Sequence, residues 1–274
     1  MEKHFAVIGY PIEQSPSPWM HNEGYKALNI AAVYQRFLVE PERLAEAVDG
    51  LCALGFSGWN VTIPHKEKII PLLDVLTPEA KRAGAVNVVK IQEGQRIGHN
   101  TDGMGFIRSV RGILPELKGK KAVLLGAGGA AKGIAIPLAE EGAQILILNR
   151  TPEKARLLAE QVRQAGGTAE TGAFAPGDWL KDADILIQTT SAGLQGEDYP
   201  FSLQGIAPET LAADIIFKPE ETAFLREARE LGCRKLDGLG MLLYQGVYAW
   251  EFWLGGQAPV GVMERALRGH GRPG

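Results

Sequence analysis

The chain has 274 residues, enough to bury a sizeable core in one large domain or two modest ones. Its 29 Lys+Arg against 32 Asp+Glu leave a net charge of −3, with no basic footprint for nucleic acid and no polybasic membrane patch. No apolar run approaches the roughly 20 residues needed to span a bilayer. Only Cys52 and Cys233 are present, far apart, and the five histidines show no ligand spacing, so neither a disulfide framework nor a metal site is expected. The opening MEKHFAVIGYPIE turns polar too soon for a secretory leader, which makes a cytoplasmic location the expectation.

Apolar β-rich runs alternate with helical patterns from end to end, predicting an α/β fold built from parallel βαβ units. The first half reads as a strand at His4–Ile8, a helix from about Trp19, a strand at Ala32–Val39 and a helix over Pro41–Leu54. Then come a strand at Gly58–Val61, a short helix around Glu67–Leu73 and a strand at Ala85–Ile91. Thr101 reads as an N-cap with Asp102 in the first turn of the next helix. The later strands are expected around Ala122–Leu125 and at Gln144–Leu148, Ile185–Thr189, Ala213–Phe217 and Arg234–Leu236. Met241–Trp253 is a strongly apolar helix with no strand after it, a candidate to pack back onto the first half.

The run Leu124-Leu125-Gly126-Ala127-Gly128-Gly129-Ala130-Ala131 is a strand ending, a glycine turn and a helix start. It fits G-x-G-x-x-A: Gly126 permits the tight turn, Gly128 lets backbone approach a pyrophosphate, and Ala131 keeps the helix near the strand. Glycine turns also serve packing alone; the flanking strand and helix are the context that favours a dinucleotide. An NAD site is expected to carry an acid about 20 residues further on. The strand end that falls there reads Asn149-Arg150-Thr151-Pro152-Glu153-Lys154, with no acid at its tip. A guanidinium at Arg150 can pair with a 2′-phosphate, and Thr151-Pro152 starts a helix, so NADP is favoured over a reading of Arg150 as a plain surface charge.

The first half concentrates small polar residues at expected strand ends: Ser15 and Ser17, Asn60 and Thr62, Lys66, Asn87, and Asn100-Thr101-Asp102. Ligands of open α/β sheets gather beyond strand carboxyl ends, and hydroxyls and amides suit a polyhydroxylated molecule. Singly, each residue is better explained by a turn, a cap or a solvated charge, and spacing alone does not bring them together.

Taken in order, these blocks resemble the shikimate dehydrogenase family. The match comprises SPSP at Ser15–Pro18, NVTIPHK at Asn60–Lys66, GAVN at Gly84–Asn87, NTDG at Asn100–Gly103 and GAGGAA at Gly126–Ala131. NRT at Asn149–Thr151 and DGLGMLLYQ at Asp237–Gln245 complete it. The resemblance implies reversible NADPH-dependent reduction of 3-dehydroshikimate to shikimate, on the route to chorismate and the aromatic amino acids. It implies two α/β domains: a substrate-binding domain over 1–103 and 238–274, completed by the C-terminal helix, and a Rossmann-type NADP-binding domain over 104–237. Lys66 and Asp102 then inherit the catalytic roles. Ser15 and Ser17 hold the substrate carboxylate, and Asn60, Thr62, Asn87 and Gln245 the ring hydroxyls. Gly126, Gly128, Gly129, Ala130, Ala131, Asn149, Arg150, Thr151 and Lys154 contact the cofactor, with Thr189, Gly238 and Met241 on its nicotinamide side. The implied partner is a small molecule, with neither nucleic acid nor membrane; a homodimer is compatible with the sequence and not dictated by it.

Three positions depart from the family pattern. Phe217 stands where a tyrosine is common, Gln188 where an asparagine is usual before Thr189-Thr190, and Lys154 where a second arginine is common. A quinate/shikimate dehydrogenase is the nearest alternative, and a nucleotide-sensing relative without chemistry is another. Arg150 argues against the first and an intact Lys66 and Asp102 against the second.

Overall fold

Residues 2–193, 199–217 and 221–269 are described by the computed structural model. The chain divides into two units, Met1–Asp102 with Leu243–Gly274, and Gly103–Leu242.

The first unit begins with β1 (Lys3–Gly9), whose run Phe5–Ile8 is fully buried, then α1 (Ser17–Ala27) and β2 (Ala32–Leu38). A 3₁₀ turn at Pro41–Arg43 leads into α2 (Leu44–Ala53) and β3 (Gly58–Val61). The helix expected around Glu67–Leu73 is only a 3₁₀ turn at Ile70–Leu72, because Pro71 lacks the N–H an α-helix needs. The next elements, β4 (Val75–Leu76) and α3 (Pro78–Ala83), were not expected. Thr77 caps α3 by accepting from the Ala80 N–H, and Gly84 closes it at φ +57°. The strand anticipated at Ala85–Ile91 runs instead as β5 (Val88–Gln92), and a further strand, β6 (Gln95–His99), follows it.

The sheet order is β2-β1-β3-β5-β6-β4. β1 runs parallel to β2 and β3, whereas β5 is antiparallel to both β3 and β6. That reversal matters for function. The start of β5 lies beside the finish of β3 (Asn60 opposite Val88) and the finish of β6 (Val88 opposite His99). Three connections, after β3, before β5 and after β6, therefore meet at one edge.

The second unit contains α4 (Asp102–Arg111, from Gly103 on), β7 (Lys121–Leu125), α5 (Gly129–Glu140), β8 (Gln144–Leu148) and α6 (Pro152–Gln164). It continues through β9 (Thr168–Gly172), a helical turn α7 (Trp179–Asp182), β10 (Ile185–Gln188), β11 (Leu211–Asp214), α8 (Ala223–Glu230) and β12 (Arg234–Leu236). The strand placed at Ala213–Phe217 ends three residues sooner: Asp214 Oδ1 accepts from the Ile216 N–H and turns the chain away. All strands are parallel in the order β12-β11-β10-β7-β8-β9, with the strand order reversing between β7 and β10. One face is covered by a core including Leu124, Ile134, Ile147 and Ile187, the other by Val123, Leu125, Leu186 and Phe224. Such two-sided burial is why these strands read as continuous apolar runs rather than alternations.

α9 (Gly238–Leu254) carries the chain back, and α10 (Val260–Gly269) packs on α1. From Leu243 onward the residues belong to the first unit. Trp253 stacks on Phe5 at 4.8 Å and donates its indole N–H to Val89 O at 2.8 Å. Trp250 stacks on Tyr25 at 4.7 Å.

Candidate active site

At the edge where β3, β5 and β6 meet, Lys66 Nζ lies 2.7 Å from Asp102 Oδ2, with the aspartate side chain 5% exposed and the lysine 20%. The pair is held by amides rather than by further charges. Asn87 donates from Nδ2 to Asp102 Oδ1 and to Thr101 Oγ1, both at 2.9 Å, and accepts the Thr101 N–H on Oδ1 at 2.8 Å. Asn60 donates to Asn87 O at 2.9 Å, and Asn100 Oδ1 accepts the Asp102 N–H at 3.0 Å. The Thr101 hydroxyl donates to Gln245 O at 3.0 Å, and Asn87 Nδ2 is 3.5 Å from Gln245 Oε1. Thr101 stands immediately before α4, and its hydroxyl ties the β6 connection to α9.

The Thr62–Lys66 connection is anchored on both sides. The His65 ring nitrogen Nε2 lies 2.8 Å from Val39 O, and the Val86 N–H donates to Lys66 O at 2.8 Å. Burying a carboxylate is costly unless it is paired and hydrogen-bonded; Asp102 has the Lys66 ammonium on Oδ2 and the Asn87 amide on Oδ1, while the lysine keeps access to solvent. An unpaired Asp102 would be a buried charge beside two asparagines.

Ser17, the first residue of α1, is buried, while Ser15 and Thr62 are half-buried. Arg36 donates to Ser15 O at 3.3 Å and lies over the Trp19 ring at 5.0 Å. Two neighbours of these residues carry no signal in the sequence. Tyr34 donates its phenol to Asn60 Oδ1 at 2.7 Å, and His21 stacks on Tyr34 at 4.5 Å. Nothing in the spacing of AVYQRFL distinguishes Tyr34 from an ordinary core aromatic.

In the second unit Gly126 follows β7 at φ +117°, and a Cβ there would sit 2.6 Å from Thr189 Oγ1. Thr189, just past β10, donates that hydroxyl to Leu125 O at 2.9 Å. The glycine turn and Thr189 thus stand together at the point where the strand order reverses, the position at which doubly wound sheets take their ligands. Gly128 has ordinary extended backbone, φ −86° and ψ −170°, and a Cβ on it would meet nothing within 4 Å. No side chain caps α5, so among the described residues the N–H groups of its first turn, from Gly129, Ala130 and Ala131, are free of a side-chain acceptor. Open space over Gly128 beside an uncapped helix start fits a pyrophosphate. Ala131 is fully buried against the sheet.

Arg150 is exposed and has no ion pair or side-chain hydrogen bond among the described residues. Thr151 occupies the N-cap position of α6 with Pro152 at its first turn, but makes no side-chain cap; Asn149 Nδ2 binds Thr151 O at 2.9 Å. Lys154 is exposed one turn in. These donors fit a 2′-phosphate. Gln188, buried at the end of β10, donates to Ala192 O at 2.9 Å and accepts from the Thr190 N–H at 2.7 Å, shaping the loop that carries Thr189. Gly238 lies against the Ile215 and Ile216 backbone, with Met241 half-buried against the second unit's core. Phe217 is half-buried and offers no phenol.

A doubly wound sheet with this turn, joined in one chain to an α/β unit bearing a half-buried lysine–aspartate pair, defines a class, the two-unit α/β dehydrogenases. The comparisons narrow the class. Residues 7–89 match the family model for the shikimate dehydrogenase substrate binding domain, 108–195 that for shikimate / quinate 5-dehydrogenase, and 238–268 that for the shikimate 5′-dehydrogenase C-terminal domain. The chain is 60% identical to the NADP(+) shikimate dehydrogenase of Desulfitobacterium hafniense Y51, over 97% of this chain and 98% of that one. Its fold superposes on shikimate dehydrogenase from Aquifex aeolicus with a TM-score of 0.92 at 40% identity, covering 97% of this chain and 98% of that one. It superposes likewise on the Thermus thermophilus enzyme in complex with NADP(H) and shikimate, TM-score 0.88 at 36% identity, covering 97% and 98%. The chain belongs to the shikimate dehydrogenase family.

Proposed function

We propose that this chain is an NADP-dependent oxidoreductase that reversibly reduces 3-dehydroshikimate to shikimate, and that Lys66 and Asp102 are its catalytic pair. The observation that carries the reading is the 2.7 Å contact between Lys66 Nζ and Asp102 Oδ2 inside a network of neutral amides. NADPH, when bound, supplies the hydride that turns the ring carbonyl into an alkoxide. Lys66 donates the proton that completes the alcohol and stabilises the charge while it develops. Asp102 keeps the ammonium aimed, and Asn87 and Asn100 keep Asp102 aimed.

Ser15 and Ser17 hold the substrate carboxylate in this reading; Asn60, Thr62, Asn87 and Gln245 take ring hydroxyls. In this reading the substrate domain is residues 1–103 with 238–274 and the NADP domain 104–237, whereas the division by contacts falls after Asp102 and before Leu243. Gly126, Gly128, Gly129, Ala130 and Ala131 receive the pyrophosphate, Asn149, Arg150, Thr151 and Lys154 the 2′-phosphate end, and Thr189, Gly238 and Met241 the nicotinamide. With Phe217 in place of a phenol, the carboxylate loses one neutral donor, a net loss of about 0.5–1.5 kcal/mol. The reaction needs neither nucleic acid nor membrane, and we place it in the cytoplasm; no helix among the described residues is long and apolar enough to cross a bilayer.

The test is NADPH formation from shikimate and NADP by the purified protein, beside quinate and beside NAD, repeated for Lys66→Ala. Turnover specific to shikimate and NADP is expected, reduced at least ~10²-fold in the variant, with NADPH binding retained. Turnover mainly with quinate or with NAD, or full activity in the variant, would overturn the reading.

A further inference from the structure

Asn60 has two amide orientations of nearly equal shape, and which one a ligand meets decides whether it finds a donor or an acceptor. Two contacts choose between them: the Asn87 carbonyl, which can only accept and so takes Nδ2, and a hydroxyl that donates to Oδ1. We propose that Tyr34 is a positioning residue for the substrate: its phenol donates to Asn60 Oδ1 at 2.7 Å and so fixes the Asn60 amide for ring-hydroxyl recognition. This rests on the reading of Asn60 and Ser17 as substrate-holding residues.

The geometry is specific. With Oδ1 taking the phenol proton, Asn60 Nδ2 is the atom that reaches Asn87 O at 2.9 Å. Among the described residues, one amide proton and one lone pair of Asn60 then remain for a ligand. The Ser17 side chain lies beside the same phenol, so one hydroxyl borders both the carboxylate-holding and the hydroxyl-holding residues.

Tyr34 is itself held from both sides. Asn22 brackets its backbone, accepting the Tyr34 N–H at 2.8 Å and donating to Tyr34 O at 2.9 Å. Its ring lies flat on His21, with centroids 4.5 Å apart and planes at 10°. His21 is fully buried with neither ring nitrogen hydrogen-bonded among the described residues, so it serves as an uncharged flat wall. Packing alone would be met by phenylalanine, which brings no polar atom into a site 1% exposed. The hydroxyl is explained by what it touches.

The experiment compares wild type, Tyr34→Phe, Asn60→Ala and the double variant in steady-state assays with shikimate and NADP, with melting curves to confirm folding. Tyr34→Phe is expected to raise KM for shikimate about tenfold, as losing a buried hydrogen bond to a binding group does. Its kcat should stay within about twofold and its KM for NADP unchanged, a split that general loosening of the core would not give. In the Asn60→Ala background the same change should add less than about twofold, since Tyr34 acts through Asn60. Wild-type turnover with an unaltered shikimate KM in Tyr34→Phe would overturn the positioning role alone, as would effects that simply multiply in the double variant. A wild type inert towards shikimate would overturn both the role and the reading beneath it.

Discussion

Arg150 shows how far one side chain can set a cofactor preference. It follows β8 where an NAD-type site carries an acid; it is exposed and unpaired among the described residues. Beside it, α6 starts with Pro152 and no side-chain cap, so the first-turn N–H groups add to the positive end of the helix. A guanidinium binding a 2′-phosphate makes charge-assisted bonds worth about 1.5–3 kcal/mol. Arg150→Ala is therefore expected to raise KM for NADP roughly 10- to 100-fold while leaving KM for NAD nearly unchanged. Steady-state kinetics with both nucleotides decide it: equal losses for the two would mean that Arg150 reads something other than the 2′-phosphate. Position and residue type made Arg150 legible in the sequence. Tyr34 was not, because its role depends on a neighbour 26 positions away on another strand.

The glycine turn between β7 and α5 separates two uses of the same residue. Gly126 stands at φ +117° with Thr189 Oγ1 where its Cβ would go, so alanine there is strained by backbone and neighbour alike. Gly128 is extended with open space around it, so nothing in the protein forbids a side chain. Gly126→Ala should destabilise the chain by about 1–3 kcal/mol, whereas Gly128→Ala should melt like wild type and lose NADP affinity. Calorimetric melting together with NADPH titration measures both. A Gly128→Ala protein that bound NADPH normally would remove the pyrophosphate from this turn. Elements with strong periodicity or a clear turn were legible in just this way. Those of the first unit's far side were less so. β6 reads Gln95-Arg96-Ile97-Gly98-His99, with little apolar content to mark a strand. Its hairpin to β5 turns through Glu93 and Gly94, both at positive φ (55° and 79°), a two-residue turn that Asn-Gly would have announced and Glu-Gly does not. Since that hairpin is what brings Asn87 and Asp102 beside Asn60 and Lys66, the residues of the candidate site could be named from sequence but their convergence could not.

At the scale of the whole molecule, the ring stack around His21 links acid to unfolding. His21 and Tyr25 come from α1, Tyr34 from β2, and Trp250 and Trp253 from α9, so the stack joins chain segments from both ends of the sequence. These rings bring no carboxylate towards the imidazole, and burial lowers its pKa from 6.5 to about 3. The unfolded chain takes up this proton below about pH 6.5 while the folded chain refuses it, so stability falls as pH falls through that interval. The slope from this one group is about 1.4 kcal/mol per pH unit. His99, also lowered by burial and opposed by Glu79, adds loss of the same sign. A His21→Phe variant keeps a flat ring in the stack and retains His99, so the difference between the two proteins isolates His21. Four of the five tryptophans lie in the first unit, only Trp179 in the second, which makes indole fluorescence a report chiefly on the unit concerned. Urea unfolding followed that way at pH 7 and pH 5 should show wild type losing about 2 kcal/mol more than His21→Phe. Equal losses would mean that the imidazole finds a proton partner in the folded chain, and the dry wall behind Tyr34 would have to be abandoned.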